Sequence, residues 1–247
     1  MKQNKYDDPE FFDRYSRMRR SVGGLAEAGE WEAFRALLPE LPGKRLLDLG
    51  CGFGWHCRYA REQGAASVVG VDLSEKMLAR AREMTDDSGI EYLRSAMEEI
   101  DFLPESFDIV ISSLALHYVE RFDRVCLEVS RCLTPGGTFA LSVEHPIFTA
   151  RAAQDWQYGP DGERLHWPVD DYQQEGRRET NWLAQNVVKY HRTVATYVNT
   201  LLDSGFLLTR LLEPGPTPEL LSEQPEWRDE TRRPMFLLFA AEKAPTA

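Results

Sequence analysis

One segment restricts the fold of this chain more than any other: an apolar run that ends in closely spaced glycines. Residues 45–49 are predicted to form a buried β-strand, and the turn after it has the pattern Gly50-x-Gly52-x-Gly54. Such glycines allow positive φ angles and a close approach of the backbone to a ligand. Asp72 ends the next predicted strand, 22 residues after Gly50. In a doubly wound sheet its carboxylate lies beside the first loop, where it can accept hydrogen bonds from ribose hydroxyls. Together these features predict a site for a nucleoside ligand.

The spacing of the glycines narrows the choice of nucleoside. The dinucleotide-binding pattern is G-x-G-x-x-G, and Trp55 occupies the position of its third glycine. The chain also lacks the Gly-Lys-Ser or Gly-Lys-Thr sequence that a P-loop contains. A loop with fewer amides free for a pyrophosphate favours a ligand without phosphate. An NAD(P)-dependent oxidoreductase stays open as a less favoured alternative.

Short β-branched or leucine-rich runs alternate with segments of helical period along most of the chain. This alternation is typical of an α/β protein whose sheet has helices on both faces. Seven strands are predicted, at residues 45–49, 67–71, 90–93, 107–112, 138–143, 206–212 and 235–240. Helices are predicted at residues 9–20, 27–38, 56–63, 122–133 and 193–204, and behind Ser74 as an N-cap. Residues 144–189 interrupt the alternation and show no clear regular structure, and excursions of this length usually have a function.

The charge of the chain limits its partners. Its 247 residues include 29 Lys and Arg and 40 Asp and Glu, for a formal net charge of −11. Nucleic acid and anionic lipid both attract basic surfaces, so neither is expected as a partner. No apolar run approaches the roughly 20 residues of a membrane helix. The four cysteines lack the spacing of metal ligands, so we expect reduced thiols in a cytoplasmic protein and no metal site.

The glycine turn and Asp72 belong to a larger set of motifs. Residues 48–54 (DLGCGFG) and 69–74 (VGVDLS) are followed by 106–113 (SFDIVISS) and 133–137 (LTPGG). In this order and at these intervals they resemble class I S-adenosylmethionine (SAM)-dependent methyltransferases, of the small-molecule, type 11/25-like branch. The flanks resemble an uncharacterised bacterial subgroup. The resemblance implies a Rossmann-like, doubly wound, seven-stranded and mostly parallel sheet. Its implied strand order is 3-2-1-4-5-7-6, with the last strand antiparallel.

The resemblance also suggests how a single methyltransferase domain, residues 1–247, is divided. Its parts are an N-terminal helical arm (1–41), a SAM-binding core (42–145), an insertion that covers the substrate (146–190), and a C-terminal helix with the last two strands (191–247). The acidic and aromatic side chains of the insertion suit a cationic or aromatic small molecule. A core-packed or dimer-forming insertion is the alternative. We expect a monomer or a homodimer.

The family binds SAM and releases S-adenosyl-L-homocysteine (SAH), and the resemblance implies roles for the matching residues. Gly50, Cys51 and Gly52 would border the methionyl group, and Asp48 would help to fix its amino group. Asp72 would hold the ribose hydroxyls. The other implied contacts are Leu73 and Met77 against the adenosine, Ala96 and Met97 beside the adenine, Ser113 and Leu114 near the sulfonium, and Tyr15 closing over the pocket. Two candidates stay open for the adenine amino group, Ser95 and Glu98.

Methyl transfer from a sulfonium is an in-line displacement. It needs a well-placed nucleophile, the exclusion of water and, for some acceptors, the removal of a proton. Histidine titrates near neutral pH, so histidines are the candidate general bases. The candidates are His145 at the end of the fifth strand, His191 before the late helix, and His117 after the fourth strand. Each has an alternative role in packing or hydrogen bonding. Because no base is assured, a SAM-binding module without catalysis, such as a sensor or a subunit of a complex, is the alternative function.

Overall fold

Strands and helices alternate along the protein. The structure is a computed structural model, and it describes residues 4–245. Its strands are β1 (Arg45–Leu49), β2 (Ser67–Asp72), β3 (Ile90–Arg94), β4 (Phe107–Ser113), β5 (Leu133–Glu144), β6 (Gln157–Tyr158), β7 (Arg164–His166), β8 (Gly176–Trp182), β9 (Ala184–His191), β10 (Phe206–Leu212) and β11 (Phe236–Lys243). Its α-helices are α1 (Pro9–Ser16), α2 (Arg19–Val22), α3 (Trp31–Arg35), α4 (Trp55–Glu62), α5 (Glu75–Glu83), α6 (Phe122–Cys132), α7 (Pro146–Thr149), α8 (Val194–Asp203) and α9 (Pro218–Glu223). Short 3-10 helices lie at Lys5–Asp7, Gly24–Glu27, Met97–Glu99, Leu116–Tyr118 and Pro225–Arg232.

Seven of these strands form one sheet, in the order β10-β11-β5-β4-β1-β2-β3. The pairs among β1 to β5 are parallel, and β11 runs antiparallel to both β5 and β10. The predicted order of seven strands, with an antiparallel last strand, is therefore confirmed. The strand order reverses between β1 and β4. Ligands of doubly wound sheets bind beyond the carboxyl ends of the strands at such a point.

Apolar side chains cover both faces of the sheet, because its central strands are buried on both sides. On one face α6 and α8 meet through the rings of Phe122 and Tyr197, whose centroids are 5.0 Å apart. The other face is covered by α3, α4 and α5, with Phe34, Cys57 and Leu78 in its core cluster. The predicted helices on both faces are confirmed. All four cysteines are buried free thiols, so they contribute packing.

The N-terminal helices are shorter than predicted. The arm expected as one helix over residues 9–20 is divided into α1 and α2, because Met18 has an extended backbone (ψ 147°) and acts as the N-cap of α2. The helix expected at 27–38 is only α3, Trp31–Arg35, preceded by the 3-10 turn Gly24–Glu27. Gly29 lies in the intervening turn, and glycine disfavours a helix interior.

The excursion after β5 has more regular structure than its sequence indicates. It contains α7 and two antiparallel hairpins, β6–β7 and β8–β9. The guanidinium carbon of Arg233 lies 4.0 Å from the ring centroid of Trp167 and 4.8 Å from that of Phe148. These stacking contacts fix the excursion to the segment before β11. No helix within residues 4–245 is long and apolar enough to cross a membrane.

Candidate functional site

The glycine turn after β1 takes the conformation that its sequence predicts. Gly50, Gly52 and Gly54 have φ angles of 77°, 53° and 71°, a region that L side chains rarely adopt. A Cβ at Gly50 would collide with Ala115, and one at Gly54 would collide with Tyr92. At Gly52 a Cβ would meet no described atom within 4 Å. Two glycines therefore permit tight packing, and the third has open space beside it.

Asp72 is fixed against this turn. Its carboxylate accepts a hydrogen bond from the Gly52 amide to Oδ2 and one from the Ser74 amide to Oδ1, both at 2.9 Å. Burial raises the pKa of Asp72, and these two amides oppose the shift. The backbone thus holds the carboxylate in one orientation at the carboxyl end of β2.

A cavity of about 1250 Å³ opens at the carboxyl ends of β1, β2, β4 and β5. Typical sites for one small ligand have roughly 300–1,000 Å³, so this cavity is larger than a typical site for one small ligand. The predicted site residues on its wall are Tyr15, Gly50, Gly52, Asp72, Leu73, Met77, Ala96, Met97, Ser113, Leu114 and His117. Ser95 and Glu98 also line it. The structure thus brings together most of the residues that the resemblance names.

Asp48 and Cys51 lie outside this wall. Cys51 borders a neighbouring cavity of about 60 Å³, which Tyr15, Gly50, Gly52 and Ser113 also line. Asp48 is buried below the turn, where its Oδ2 accepts a hydrogen bond from the Cys57 thiol at 3.3 Å. Burial raises the pKa of Asp48 to about 7. Its Oδ1 has no hydrogen-bond partner among the described residues.

Leu114 marks the point where β4 ends at the cavity. Its φ of 51° is unusual for a residue other than glycine. The Leu114 amide donates to the carbonyl and to the hydroxyl oxygen of Ser142, each at 3.0 Å. These bonds hold the strained backbone in place, and strain of this kind is concentrated at functional sites.

The three candidate histidines have different surroundings. His117 lines the cavity, and its Nδ1 accepts the Glu144 amide at 3.4 Å. This bond assigns the imidazole proton to Nε2. Burial lowers the pKa of His117 to about 4, although Glu144 opposes the shift, so the ring is neutral at pH 7.

His145 and His191 do not line the cavity. The Nδ1 of His145 accepts the Ile147 amide at 3.0 Å, and its Nε2 lies 2.7 Å from a carboxylate oxygen of Glu213. His191 is fully buried, with Nδ1 2.9 Å from the Thr149 hydroxyl and Nε2 2.9 Å from the Tyr172 carbonyl. Burial lowers the pKa of both histidines. Both ring nitrogens of each are engaged, so neither has a free nitrogen for a ligand in this structure.

A polar cluster that the sequence analysis did not identify also lines the cavity. Lys189 of β9 donates from Nζ to Glu144 Oε1 at 2.6 Å and to Gln154 Oε1 at 3.0 Å. The Gln154 amide donates to Glu144 Oε2 at 3.2 Å. His117 Nε2 lies 4.0 Å from Glu144 Oε1. The sequence contains one indication of this cluster. Lys189 lies two residues after the apolar Val187, so both side chains are on the buried side of β9.

The N-terminal arm covers the part of the cavity that the glycine turn and Asp72 border. Asp7 accepts hydrogen bonds from the Ser74 hydroxyl at 2.6 Å and from the Lys76 amide at 3.1 Å. The Tyr15 ring packs edge-on against Phe53 of the glycine turn, with centroids 5.7 Å apart. The arm is thereby attached to the β2–α5 loop and to the glycine turn.

The arm also places a guanidinium beside the glycines. Arg20 lines both cavities and pairs with the buried Glu30 at 2.9 Å. Oε2 of Glu30 has no hydrogen-bond partner within residues 4–245. The basic residues of the arm are visible in the sequence, but nothing in their spacing distinguishes Arg20 from Arg17 or Arg19.

Known proteins are similar to this chain in fold and in sequence. A family model described as a methyltransferase domain matches residues 47–141. A crystal structure of an S-adenosylmethionine-dependent methyltransferase from Mesorhizobium loti is 51% identical with a TM-score of 0.84, over 89% of this chain and all of that one. A crystal structure from Listeria monocytogenes is 50% identical with a TM-score of 0.85, over 89% of this chain and 99% of that one.

Curated relatives add little about the acceptor. An uncharacterised protein from Haemophilus influenzae is 36% identical over 96% of both chains. A malonyl-[acyl-carrier protein] O-methyltransferase from Pectobacterium atrosepticum is 32% identical, but the match covers only 59% of this chain and 53% of that protein. The match to this named enzyme thus spans about half of either chain.

The fold and the site define an α/β methyltransferase of the Rossmann-like type. The chain belongs to the family of SAM-dependent methyltransferases. It is an enzyme whose cofactor is SAM.

The residues present fit this cofactor. Gly52 leaves open space where a side chain would otherwise project, as close contact with the methionyl group requires. Asp72 presents a fixed carboxylate for a ribose diol, and Arg20 presents a cation for an α-carboxylate. Arg20, Gly52 and Asp72 all line the same cavity.

Proposed function

We propose that this enzyme transfers a methyl group from SAM to a small-molecule acceptor enclosed in the large cavity. One observation supports the proposal above all: the same cavity borders the SAM-binding residues and the polar cluster of Glu144, Gln154 and Lys189. Two of these three residues come from the excursion after β5, so the excursion forms part of the acceptor wall.

Each of the residues predicted to bind the cofactor has a role in this function. Asp72 accepts hydrogen bonds from the ribose hydroxyls, Gly50 and Gly52 contact the methionyl group, and Arg20 pairs with its carboxylate. The remaining cofactor contacts are Leu73, Met77, Ala96 and Met97 around the adenosine, Ser113 and Leu114 near the sulfonium, and Tyr15 from the arm. Asp48 and Cys51 support the turn from below. Free thiols such as the four cysteines of this chain suit the cytoplasm, where we place the enzyme.

Methyl transfer depends mainly on how the acceptor is positioned relative to the methyl group of SAM. SAM supplies an electrophilic methyl group on a positively charged sulfur. The chain excludes water by means of the N-terminal arm and the excursion, and the strained turn at Leu114 fixes the edge of the site. Orientation of two reactants in this way contributes roughly 7–11 kcal/mol in favourable cases. Of the three candidate histidines only His117 lines the cavity, and its Nε2–H makes it a hydrogen-bond donor rather than a base.

The experiment uses SAM with an isotopically labelled methyl group and a metabolite extract of the source organism. Mass spectrometry should find one labelled product that forms with wild-type enzyme and is absent with Asp72→Ala. The matched control is Asp101→Asn, which alters an exposed carboxylate that does not line the cavity and should form the product as wild type does. Tight SAH binding without methylation of any metabolite would contradict the proposal. It would favour a non-catalytic SAM-binding module.

A further inference from the structure

We propose that Glu144 binds the protonated nitrogen of a primary or secondary amine, so that the acceptor is an amine-bearing small molecule. The inference rests on the proposed function and names the acceptor class for the same cavity. It concerns recognition of the acceptor, and the ammonium donates N–H hydrogen bonds to the carboxylate.

Glu144 lies at the right place for acceptor recognition. It is the last residue of β5, and β5 pairs with β4 so that Ser113 is opposite Ser142. Ser142 also binds the amide of Leu114, the residue that ends β4 at the cavity. Glu144 therefore lies two residues beyond Ser142 on β5. Ser142 is bonded to Leu114, which we place near the sulfonium.

The carboxylate is held in one orientation by its neighbours. Lys189 binds Oε1 at 2.6 Å, and Gln154 binds Oε2 at 3.2 Å while it also accepts from Lys189. Each carboxylate oxygen has more than one acceptor position, so capacity for a ligand N–H is left. Burial would raise the pKa of Glu144, but the Lys189 ammonium and the Gln154 amide, both hydrogen-bonded to the carboxylate, lower it and keep the group ionised.

In the ion pair of Lys189 and Glu144, the anionic side chain is the one that is exposed to the cavity. The Lys189 side chain is 1% exposed and that of Glu144 is 17% exposed. The Lys189 ammonium is therefore enclosed in the protein, and the Glu144 side chain is the more exposed member of the pair. Over the whole wall of the cavity, ten side chains are acidic and seven are basic. The Glu144 carboxylate would repel an anionic acceptor and attract a cationic one.

Aromatic rings border the same region. Trp182 lines the cavity with its ring centroid 5.5 Å from Lys189 Nζ, and it already contacts a cation. Tyr118 also lines the cavity, packed on His117 with centroids 4.3 Å apart. Ring faces and a carboxylate together form the usual binding site for an ammonium group.

The test treats the metabolite extract with the N-hydroxysuccinimide ester of acetic acid, which converts primary and secondary amines to neutral amides. The untreated extract should give a labelled product, and the acetylated extract should give at least about tenfold less. An equal yield from both extracts would overturn the inference while the proposed function stands. No product from either extract would overturn the proposed function, and the inference with it.

Variants link the result to Glu144. The acceptor in these assays is the amines isolated from the untreated extract. With it, Glu144→Gln should raise the KM for the acceptor about tenfold and change the KM for SAM by less than about twofold. Because Glu144→Gln leaves Lys189 without its counter-ion, the double variant Glu144→Gln/Lys189→Met is measured beside it. The control is Glu91→Gln on the exposed side of β3. Unchanged acceptor KM in both folded variants would exclude Glu144 from the acceptor site.

Discussion

The Asp72 carboxylate accepts a hydrogen bond from the Gly52 amide at 2.9 Å, which joins the end of β2 to the glycine turn after β1. A second bond, from Ser74, fixes the other oxygen. A ligand that binds both groups thus meets a preformed arrangement and has no loop to order. Preorganisation of this kind lowers the cost of binding.

Asp72→Ala should weaken the binding of SAH by about 2 kcal/mol or more, because charge-assisted hydrogen bonds to the ribose are lost. Isothermal titration calorimetry measures the change. Asp101→Asn should bind SAH as wild type does, since it alters an exposed carboxylate that does not line the cavity. Unchanged affinity in Asp72→Ala would remove Asp72 from the cofactor site.

Gly52 and Gly54 provide a matched pair of alanine substitutions. Both have positive φ angles, so alanine at either costs about 1 kcal/mol of backbone strain. Gly52→Ala places its methyl group in open space on the cavity side, and SAH should bind at least about tenfold more weakly with little further loss of stability. Gly54→Ala collides with Tyr92 and should cost about 3 kcal/mol or more in unfolding free energy. Urea denaturation and calorimetry separate the two effects. Wild-type SAH affinity in Gly52→Ala would contradict contact between the turn and the ligand.

The cofactor side of the site was predictable because local pattern determines it. The turn at Gly50, Gly52 and Gly54 lies in one short segment, and Asp72 ends the adjacent strand. The parallel pairing of β1 with β2 then brings them together. The sheet order was implied by the family resemblance that these motifs carry.

The acceptor side was not predictable in the same way. Glu144 and Lys189 are 45 residues apart in the chain, and only the packing of hairpin β8–β9 brings them together. No local pattern encodes this contact. The histidines were chosen for their chemistry and for their position near strand ends. Position along the chain does not show that His145 and His191 direct both ring nitrogens into the protein.

Arg20 should bind the methionyl carboxylate of SAH. Arg20→Gln is therefore expected to weaken SAH binding about tenfold or more. It should change the binding of 5′-methylthioadenosine by less than about twofold, because that ligand lacks the amino acid moiety. Since Glu30 is buried beside Arg20, the double variant Arg20→Gln/Glu30→Gln is included to avoid an unpaired buried charge. Equal losses for both ligands would show that Arg20 acts through the fold of the arm.

The stability of the protein should fall in acid because of His117. Burial lowers the pKa of His117 from 6.5 to about 4 in the folded state. Between these two pH values the unfolded chain takes up a proton that the folded chain does not, so stability falls as the pH falls. In His117→Asn this proton uptake is removed, and the Asn carbonyl can still accept the Glu144 amide. From pH 7 to pH 5 the unfolding free energy of wild type should decrease by about 2 kcal/mol more than that of the variant. Urea denaturation of both proteins at each pH measures this difference. Parallel pH profiles would mean that the folded protein accommodates a charged imidazole at this position, and His117 could then not be assigned as a neutral donor.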